Sequence, residues 1–120
     1  MSWTITKDFA FSASHQLDGL PDTHKCARLH GHNYLVRVEL VGELDDVGFI
    51  LDYAELEPVA SILDDLDHRH LNDMFRFNPT AELLAEWLYG EAKRYLPVGR
   101  WTLAGVGVSE TPKTWAWYRP

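Results

Sequence analysis

Alternating apolar and polar residues predict two long β-strands in the first third of the chain. Residues 3–14 alternate, with a small irregularity at Lys7-Asp8. A more regular alternation over residues 32–41 places on one face Tyr34, Val36, Val38 and Leu40. The segment between them, residues 16–31, contains two glycines and a proline and is predicted to be a loop.

A helical spacing of apolar residues predicts a first helix from Tyr53 to about Leu66. Asp52 precedes this helix and can accept hydrogen bonds from the open backbone amides at its start. Pro58 lies near the second turn, where a proline disturbs the hydrogen bonding of a helix. The helix is therefore predicted with a weak point near its beginning.

A second helix is predicted from the apolar stripe formed by Leu83, Leu84, Trp87, Leu88 and Ala92. Its expected boundary residues are Asn78 or Thr80 as the cap, Pro79 at the first helical position, and Pro97 and Gly99 after the end. Residues 100–110 and 113–119 then predict a C-terminal hairpin. The order ββααββ favours an α+β fold, in which two helices cover one face of a four-stranded antiparallel sheet.

Composition and charge narrow the class of protein. The 120 residues are enough for a single domain, predicted to span residues 1–120, and 46% are hydrophobic, which suffices for a core. A net charge of −7 repels a phosphate backbone, so we expect no nucleic acid partner. No apolar run approaches the roughly 20 residues that cross a bilayer, and the first residues are unlike a leader peptide. We therefore expect a cytoplasmic protein with no membrane partner.

Three histidines lie where the two N-terminal strands would meet. His30 and His32 are two residues apart at the start of the second strand, so an extended backbone places both imidazoles on one face. His15 ends the first strand, and in an antiparallel hairpin it lies opposite them. Three imidazoles that leave a fourth position for water or substrate are typical of a catalytic zinc site. The alternative is that they are separate polar residues at strand ends.

Cys26 is the single cysteine, which excludes an internal disulfide. Its position four residues before His30 allows three interpretations. It could be a small buried apolar residue, a fourth ligand that closes the metal site, or a catalytic thiol near the metal. The sequence positions alone do not choose among them.

Three further residues could take part in acid–base chemistry or binding. Asp67 directly precedes His68, and a carboxylate that orients an imidazole makes a proton shuttle, although such neighbours also simply share a helix end. Glu110 lies at the end of the penultimate predicted strand. A carboxylate there could pair with the two parallel N–H donors of a guanidine-like heterocycle, or it could be a surface charge.

The motifs together resemble the 6-pyruvoyltetrahydropterin synthase family over essentially the whole chain. The blocks that carry the resemblance are Phe11-Ser12-Ala13-Ser14-His15, Cys26-Ala27-Arg28-Leu29-His30-Gly31-His32-Asn33-Tyr34, Leu66-Asp67-His68, Asn78-Pro79-Thr80-Ala81-Glu82 and Ser109-Glu110-Thr111. The short gap between the cysteine and His-Gly-His is most similar to the bacterial 6-carboxy-5,6,7,8-tetrahydropterin synthases, which supply queuosine and other 7-deazapurines.

This resemblance implies a T-fold (tunnelling fold) and a Zn²⁺ ion held by His15, His30 and His32. It implies Cys26 as a catalytic acid and base, with Asp67 and His68 as its proton-relay partners, and Glu110 as the residue that holds the pterin ring. Members of this family are commonly homohexamers built as a dimer of trimers. Their active sites lie between subunits.

The resemblance also implies a substrate, 7,8-dihydroneopterin triphosphate. Cleavage of its side chain would give 6-carboxytetrahydropterin, acetaldehyde and triphosphate. Loss of triphosphate without C–C cleavage would give 6-pyruvoyltetrahydropterin, and a protein that only binds zinc or pterin is a further alternative. We expect Lys25 and Arg28, with His24, to contact the triphosphate because they are basic groups near the thiol.

Overall fold

The computed structural model describes residues 2–120, and its sheet is built on a long β-hairpin. Strand β1 (Trp3–His15) and strand β2 (His30–Gly42) pair antiparallel along their whole length, and His15 faces His30. The connection between them contains a single 3₁₀ turn, Lys25–Ala27. The hairpin predicted from the two alternating segments is therefore confirmed.

Three further strands complete a mixed sheet. They are β3 (Arg69–His70), β4 (Trp101–Ser109) and β5 (Ala116–Tyr118), and the spatial order is β3-β1-β2-β4-β5. β3 pairs parallel with β1, while all other pairs are antiparallel. The α+β class is confirmed, but the prediction of four antiparallel strands is wrong.

The helices also depart from the predicted order. They are α1 (Glu57–Leu66), α2 (Leu71–Met74) and α3 (Ala81–Tyr95), so the order is ββαβααββ rather than ββααββ. The two predicted helices correspond to α1 and α3. α2 is a single turn of four residues, too short to give a helical periodicity in the sequence.

The extra strand forms because the chain leaving α1 is tied to the edge of β1. The Asp67 carboxylate accepts a hydrogen bond from the Ser12 backbone N–H at 2.8 Å, and the His68 N–H donates to the Ser12 carbonyl at 2.6 Å. His68 adopts a left-handed conformation with φ of 59°. This turn brings β3 alongside Ala13 and Ser14. A two-residue strand cannot show alternation, so the sequence pattern did not predict it.

The first helix begins four residues later than predicted. Tyr53–Leu56 forms a 3₁₀ turn, and the Asp52 side chain accepts from the Ala54 N–H there at 3.0 Å, which agrees with its expected place at the start. The α-helix itself starts at Glu57 and places Pro58 in its first turn, where the missing N–H has no intrahelical acceptor to lose. The shift therefore removes the weak point that Pro58 represented.

The start of α3 corrects another detail. Thr80 is the cap, and its hydroxyl accepts from the Leu83 N–H at 3.2 Å. Pro79 therefore lies before the helix and not at its first position. Asn78 is not the cap either, because its side-chain amide bonds to the backbone of Asp18.

The core lies between one face of the sheet and the helices α1 and α3. Its buried apolar residues include, from the sheet, Tyr34, Val36, Val38, Leu40, Leu103, Val106 and Val108, and from the helices, Val59, Leu63, Leu66, Leu84, Ala85, Leu88 and Ala92. His15 is buried at the edge of this core. Within residues 2–120, no helix has the length and apolar character needed to span a membrane. That the chain forms one domain stays a prediction.

Candidate functional site

Three imidazoles converge where β1 ends and β2 begins. The strand register places His15 opposite His30, while His32 lies opposite Ala13, and alternate residues of β2 share a face. One ligand atom from each of the three rings lies within 4.8 Å of the others. His15 is completely buried, and the other two are partly exposed.

Backbone carbonyls fix the orientation of two of these rings. His15 Nδ1 lies 2.8 Å from the Pro79 carbonyl oxygen, and His30 Nδ1 lies 2.7 Å from that of Arg28. A carbonyl oxygen can only accept, so both Nδ1 atoms donate, and the tautomer that this selects for a neutral imidazole carries its lone pair on Nε2. These two Nε2 atoms are 2.8 Å apart. Two lone pairs at this distance repel each other unless they share a cation.

The third ring has an unsatisfied nitrogen. His32 Nε2 is buried and makes no hydrogen bond within the described part of the chain. Burial lowers the pKa of both His15 and His32, which favours the neutral form that ligates metals. A metal ion would satisfy this nitrogen and remove the repulsion between the other two. The three residues therefore fit a metal ion. In two of the rings, the nitrogen that faces away from the metal position donates to a backbone carbonyl, as is usual at such sites.

Glu110 lies beside the same cluster. It directly follows β4, and its Oε2 is 3.4 Å from His32 Nε2. The structure thus brings this predicted pterin-binding residue next to the three histidines. Its remaining carboxylate oxygen has no hydrogen-bond donor among residues 2–120 and can accept from a ligand.

Sequence reasoning missed two residues of the site. Pro79 positions His15 through its carbonyl, whereas the sequence pattern predicts for it only a place at the start of a helix. The alternation predicts only which strand face Tyr34 occupies, yet its hydroxyl lies 3.3 Å from His15 Nδ1, and its ring stacks on Phe11 with centroids 4.7 Å apart. Burial raises the pKa of Tyr34, so its hydroxyl stays protonated. Only the proximity of Tyr34 to His32 in sequence could have indicated its place.

Cys26 lies in the 3₁₀ turn before β2 and is half-buried. Its backbone N–H donates to His24 Nδ1 at 3.0 Å, so His24 acts as the cap of this turn. Within the described residues, the group able to hold an ion consists of the three histidines and does not include this thiol. The side chains of Lys25 and Arg28 are exposed on the same turn and its flank, and neither forms an ion pair within residues 2–120.

The Asp67–His68 pair is formed, but at the outer edge of the sheet. Asp67 Oδ2 lies 2.9 Å from His68 Nδ1, and the pKa of Asp67 is lowered, first by the Ser12 N–H and then by His68. The His68 side chain is 82% exposed. In the part of the chain that the structure describes, the hydrogen bonds of this pair reach Ser12 but not Cys26. Within residues 2–120, the predicted relay and the predicted thiol are therefore not joined by a hydrogen bond.

Comparisons with known proteins find one matching family model and several relatives of similar sequence or structure. The family model described as 6-pyruvoyl tetrahydropterin synthase matches residues 4–120. The 6-carboxy-5,6,7,8-tetrahydropterin synthase of Bacillus subtilis is 33% identical over 99% of this chain and 86% of its own length. The protein of the same name from Synechocystis sp. is 34% identical over 74% of each chain. The solved structure of 6-pyruvoyl tetrahydropterin synthase from Caenorhabditis elegans superposes with a TM-score of 0.88, at 31% identity, over 100% of this chain and 96% of the other.

Proposed function

Because this chain belongs to the 6-pyruvoyl tetrahydropterin synthase family, we propose that it is a zinc-dependent 6-carboxy-5,6,7,8-tetrahydropterin synthase, a carbon–carbon lyase. It converts 7,8-dihydroneopterin triphosphate and one molecule of water to 6-carboxytetrahydropterin, acetaldehyde and triphosphate, in the biosynthesis of queuosine and other 7-deazapurines. The observation that carries the proposal is the convergence of three imidazoles with two facing Nε2 atoms at 2.8 Å. The names of the bacterial relatives favour the carboxylated product.

His15, His30 and His32 would hold the zinc ion, since neutral imidazole nitrogens are common ligands of catalytic zinc. When bound, zinc supplies Lewis-acid stabilisation of the negative charge that develops on the substrate side chain. The chain itself supplies the orientation of the ligands. Pro79 and Arg28 hold two rings through their carbonyls, so the metal-binding nitrogens face each other before any ion arrives.

Proton transfer falls to Cys26 and to the Asp67–His68 pair. Asp67 engages His68 Nδ1, which leaves Nε2 of that exposed ring to accept or deliver a proton. Cys26 acts as the acid and base near the metal centre. The two groups serve opposite sides of the substrate, so that hydrogen moves between the side chain and the reduced ring.

Substrate binding uses one carboxylate and a small basic patch. Glu110 accepts two parallel N–H donors from the pterin, and its distance of 3.4 Å from His32 Nε2 supports a pterin ring bound beside the metal centre. The exposed side chains of Lys25 and Arg28 contact the triphosphate. In a chain with a net charge of −7, such a local patch decides where an anion docks.

We further propose that the protein is a homohexamer, a dimer of trimers, with active sites between subunits. Over residues 3–12, β1 has no neighbouring strand on its outer side within residues 2–120, because β3 pairs only with Ala13 and Ser14. Such an open edge is suited to pairing with another copy of the chain. An intersubunit site would also bring the exposed His68 of one chain to the Cys26 of another.

A second product is favoured by one comparison. The Caenorhabditis elegans structure, which covers the whole chain, carries the name 6-pyruvoyl tetrahydropterin synthase. Elimination of triphosphate without C–C cleavage would give that pyruvoyl product, and it would use the same groups. The two reactions differ in whether acetaldehyde is released.

The test is incubation of purified, zinc-loaded protein with 7,8-dihydroneopterin triphosphate, followed by assays for acetaldehyde and for the pterin product. We expect acetaldehyde and 6-carboxytetrahydropterin in equal amounts. His15→Ala should lose both zinc and turnover, while Cys26→Ala should keep zinc and lose turnover. If Cys26→Ala loses zinc, the thiol is a ligand. Pterin binding without any turnover would indicate a binding module.

A further inference from the structure

Two asparagine side chains bracket the segment that follows β1. Asn72 Oδ1 accepts from the Gln16 N–H at 2.8 Å, and Asn72 Nδ2 donates to the Gln16 carbonyl at 2.6 Å. Asn78 makes the same pair of bonds to Asp18, at 3.0 and 3.1 Å. Each amide thus satisfies both backbone groups of one residue, as a neighbouring strand does in a sheet. Both asparagines are distant in sequence from the segment that they hold.

Leu17, between the two brackets, faces the opposite way and reaches the thiol-bearing turn. Its N–H donates to the Cys26 carbonyl at 2.9 Å. The Cys26 N–H in turn donates to His24 Nδ1. The segment 16–18 is therefore the middle of a three-layer arrangement, with the asparagines on one side and Cys26 on the other.

We propose that Asn72 and Asn78 are positioning residues for Cys26, an inference that rests on the proposed role of this thiol in the reaction. Cys26 lies in a connection of residues 16–29, where a chain without fixed partners samples many conformations. The side-chain hydrogen bonds of Asn72 and Asn78, which we call the brackets, hold Gln16 and Asp18 in place. The hydrogen bond from the Leu17 N–H to the Cys26 carbonyl then restrains the position of Cys26. Proton transfer needs such a fixed distance, because a displacement of about 1 Å can slow a reaction on the order of a hundredfold.

The metal centre depends less on the brackets. His15 is adjacent to Gln16, and Asn78 is adjacent to Pro79, so a loss of either bracket could in principle disturb the ligands. However, the His15 backbone is paired with His30 within the hairpin, and its ring is held by the Pro79 carbonyl at the start of α3. Thr80, which directly follows Pro79, is held at the start of α3 by the hydrogen bond from the Leu83 N–H to its hydroxyl, and this bond does not involve the Asn78 side chain. Measurement of bound zinc therefore distinguishes an effect of the asparagines on the position of Cys26 from an effect on the metal ligands.

The experiment uses Asn72→Ala and Asn78→Ala, with Tyr89→Phe as the matched control. The Tyr89 hydroxyl also donates to a backbone carbonyl, that of Leu103 at 3.0 Å, but it lies between α3 and β4. Alkylation by iodoacetamide reports on Cys26 alone, because the chain has one cysteine. Metal content, kcat and KM are measured on the same zinc-loaded samples.

For each asparagine variant we expect alkylation to be about fivefold to 150-fold faster, which is the equilibrium effect of losing two hydrogen bonds. We expect kcat to fall about tenfold or more, KM to stay within about threefold, and zinc to remain bound. Tyr89→Phe should leave all four quantities near those of the wild type.

Three outcomes would overturn the inference: unchanged alkylation in both asparagine variants, loss of zinc in step with faster alkylation, or an equal effect of Tyr89→Phe. The failure of the proposed function is a different result. In that case the wild type gives no product at all, while the alkylation rates still show whether the brackets position Cys26.

Discussion

The three histidines of the candidate site differ in whether the rest of the chain forms hydrogen bonds to their ring nitrogens. His15 and His30 each have one nitrogen committed to a carbonyl, whereas His32 Nε2 is buried without a hydrogen bond within residues 2–120. Glu110 is the nearest charged group to that nitrogen. Its carboxylate could therefore serve the metal centre or the substrate, and a substitution can separate these roles.

Glu110→Gln should raise KM for the pterin substrate by about tenfold to a hundredfold, because an amide offers one acceptor where the carboxylate offers two to a charge-assisted pair. Zinc content should not change, since the glutamine keeps the size of the side chain and the three histidines remain. Steady-state kinetics and metal analysis of the same preparation measure both. Loss of zinc together with substrate affinity would place Glu110 at the metal and contradict the proposed pterin contact.

The Asp67 carboxylate should make folding stability depend on pH. The Ser12 N–H, and then His68, lower its pKa in the folded state. Its stabilising contribution is therefore fully present above the ordinary carboxyl pKa of about 3.9 and is lost as the pH falls through the lowered folded value. The difference in Tm between wild type and Asp67→Asn should be largest near neutral pH and should shrink below about pH 4. Asp65→Asn, at an exposed carboxylate of α1, is the matched control variant.

The strands and helices that have a regular apolar periodicity can be predicted from the sequence, and the short elements that lack one cannot. The alternation in β2 correctly placed Tyr34, Val36 and Val38 in the core, and the hairpin register that follows from it brings His15 to His30. β3 depends instead on two hydrogen bonds that join Ser12 to Asp67 and His68, which are more than 50 positions away in the sequence. The hydrogen bonds of Asn72 to Gln16 and of Pro79 to His15 also join residues far apart in the sequence, so these pairs are known only from the tertiary fold.

Thr80 gives a test at this scale. Its hydroxyl caps α3 through the Leu83 N–H, so Thr80→Ala should lower the free energy of unfolding by about 1 kcal/mol. Thr80→Ser keeps the oxygen and should lose only a few tenths of that amount. Chemical denaturation of the zinc-loaded protein measures both. Equal losses in the two variants would mean that the methyl group, and not the cap, stabilises the start of this helix.

The whole molecule is elongated. Its radius of gyration is 15.6 Å and its extents are 56 × 25 × 23 Å, whereas a compact domain of this length has a radius of gyration of about 14 Å. The long hairpin is the cause, since β1 and β2 each run for 13 residues. The open edge of β1 lies on one side of the sheet, and the short β5 lies on the other. Two different edges suit a head-to-tail ring of copies.

A ring of this kind leads to a prediction about where the active site is completed. Cys26→Ala and His68→Ala chains should each be inactive as pure proteins, because each lacks one proton-transfer group. If Cys26 of one chain works with His68 of the next, unfolding the two variants together and refolding them in equal amounts should restore about a quarter of wild-type activity. Random assembly places two intact groups at one site in four of a head-to-tail interface.

The matched control is a mixture of Cys26→Ala with Cys26→Ser, which lacks the thiol at every site and should stay inactive. Native mass spectrometry of the refolded sample shows whether mixed assemblies have formed, since activity is interpretable only in their presence. Mixed assemblies without activity would mean that each chain uses its own His68. The side chain of His68, which is 82% exposed, would then have to become buried when substrate binds. Restored activity would instead explain why no hydrogen bond joins the relay pair to the thiol within residues 2–120: the oligomer would bring them together.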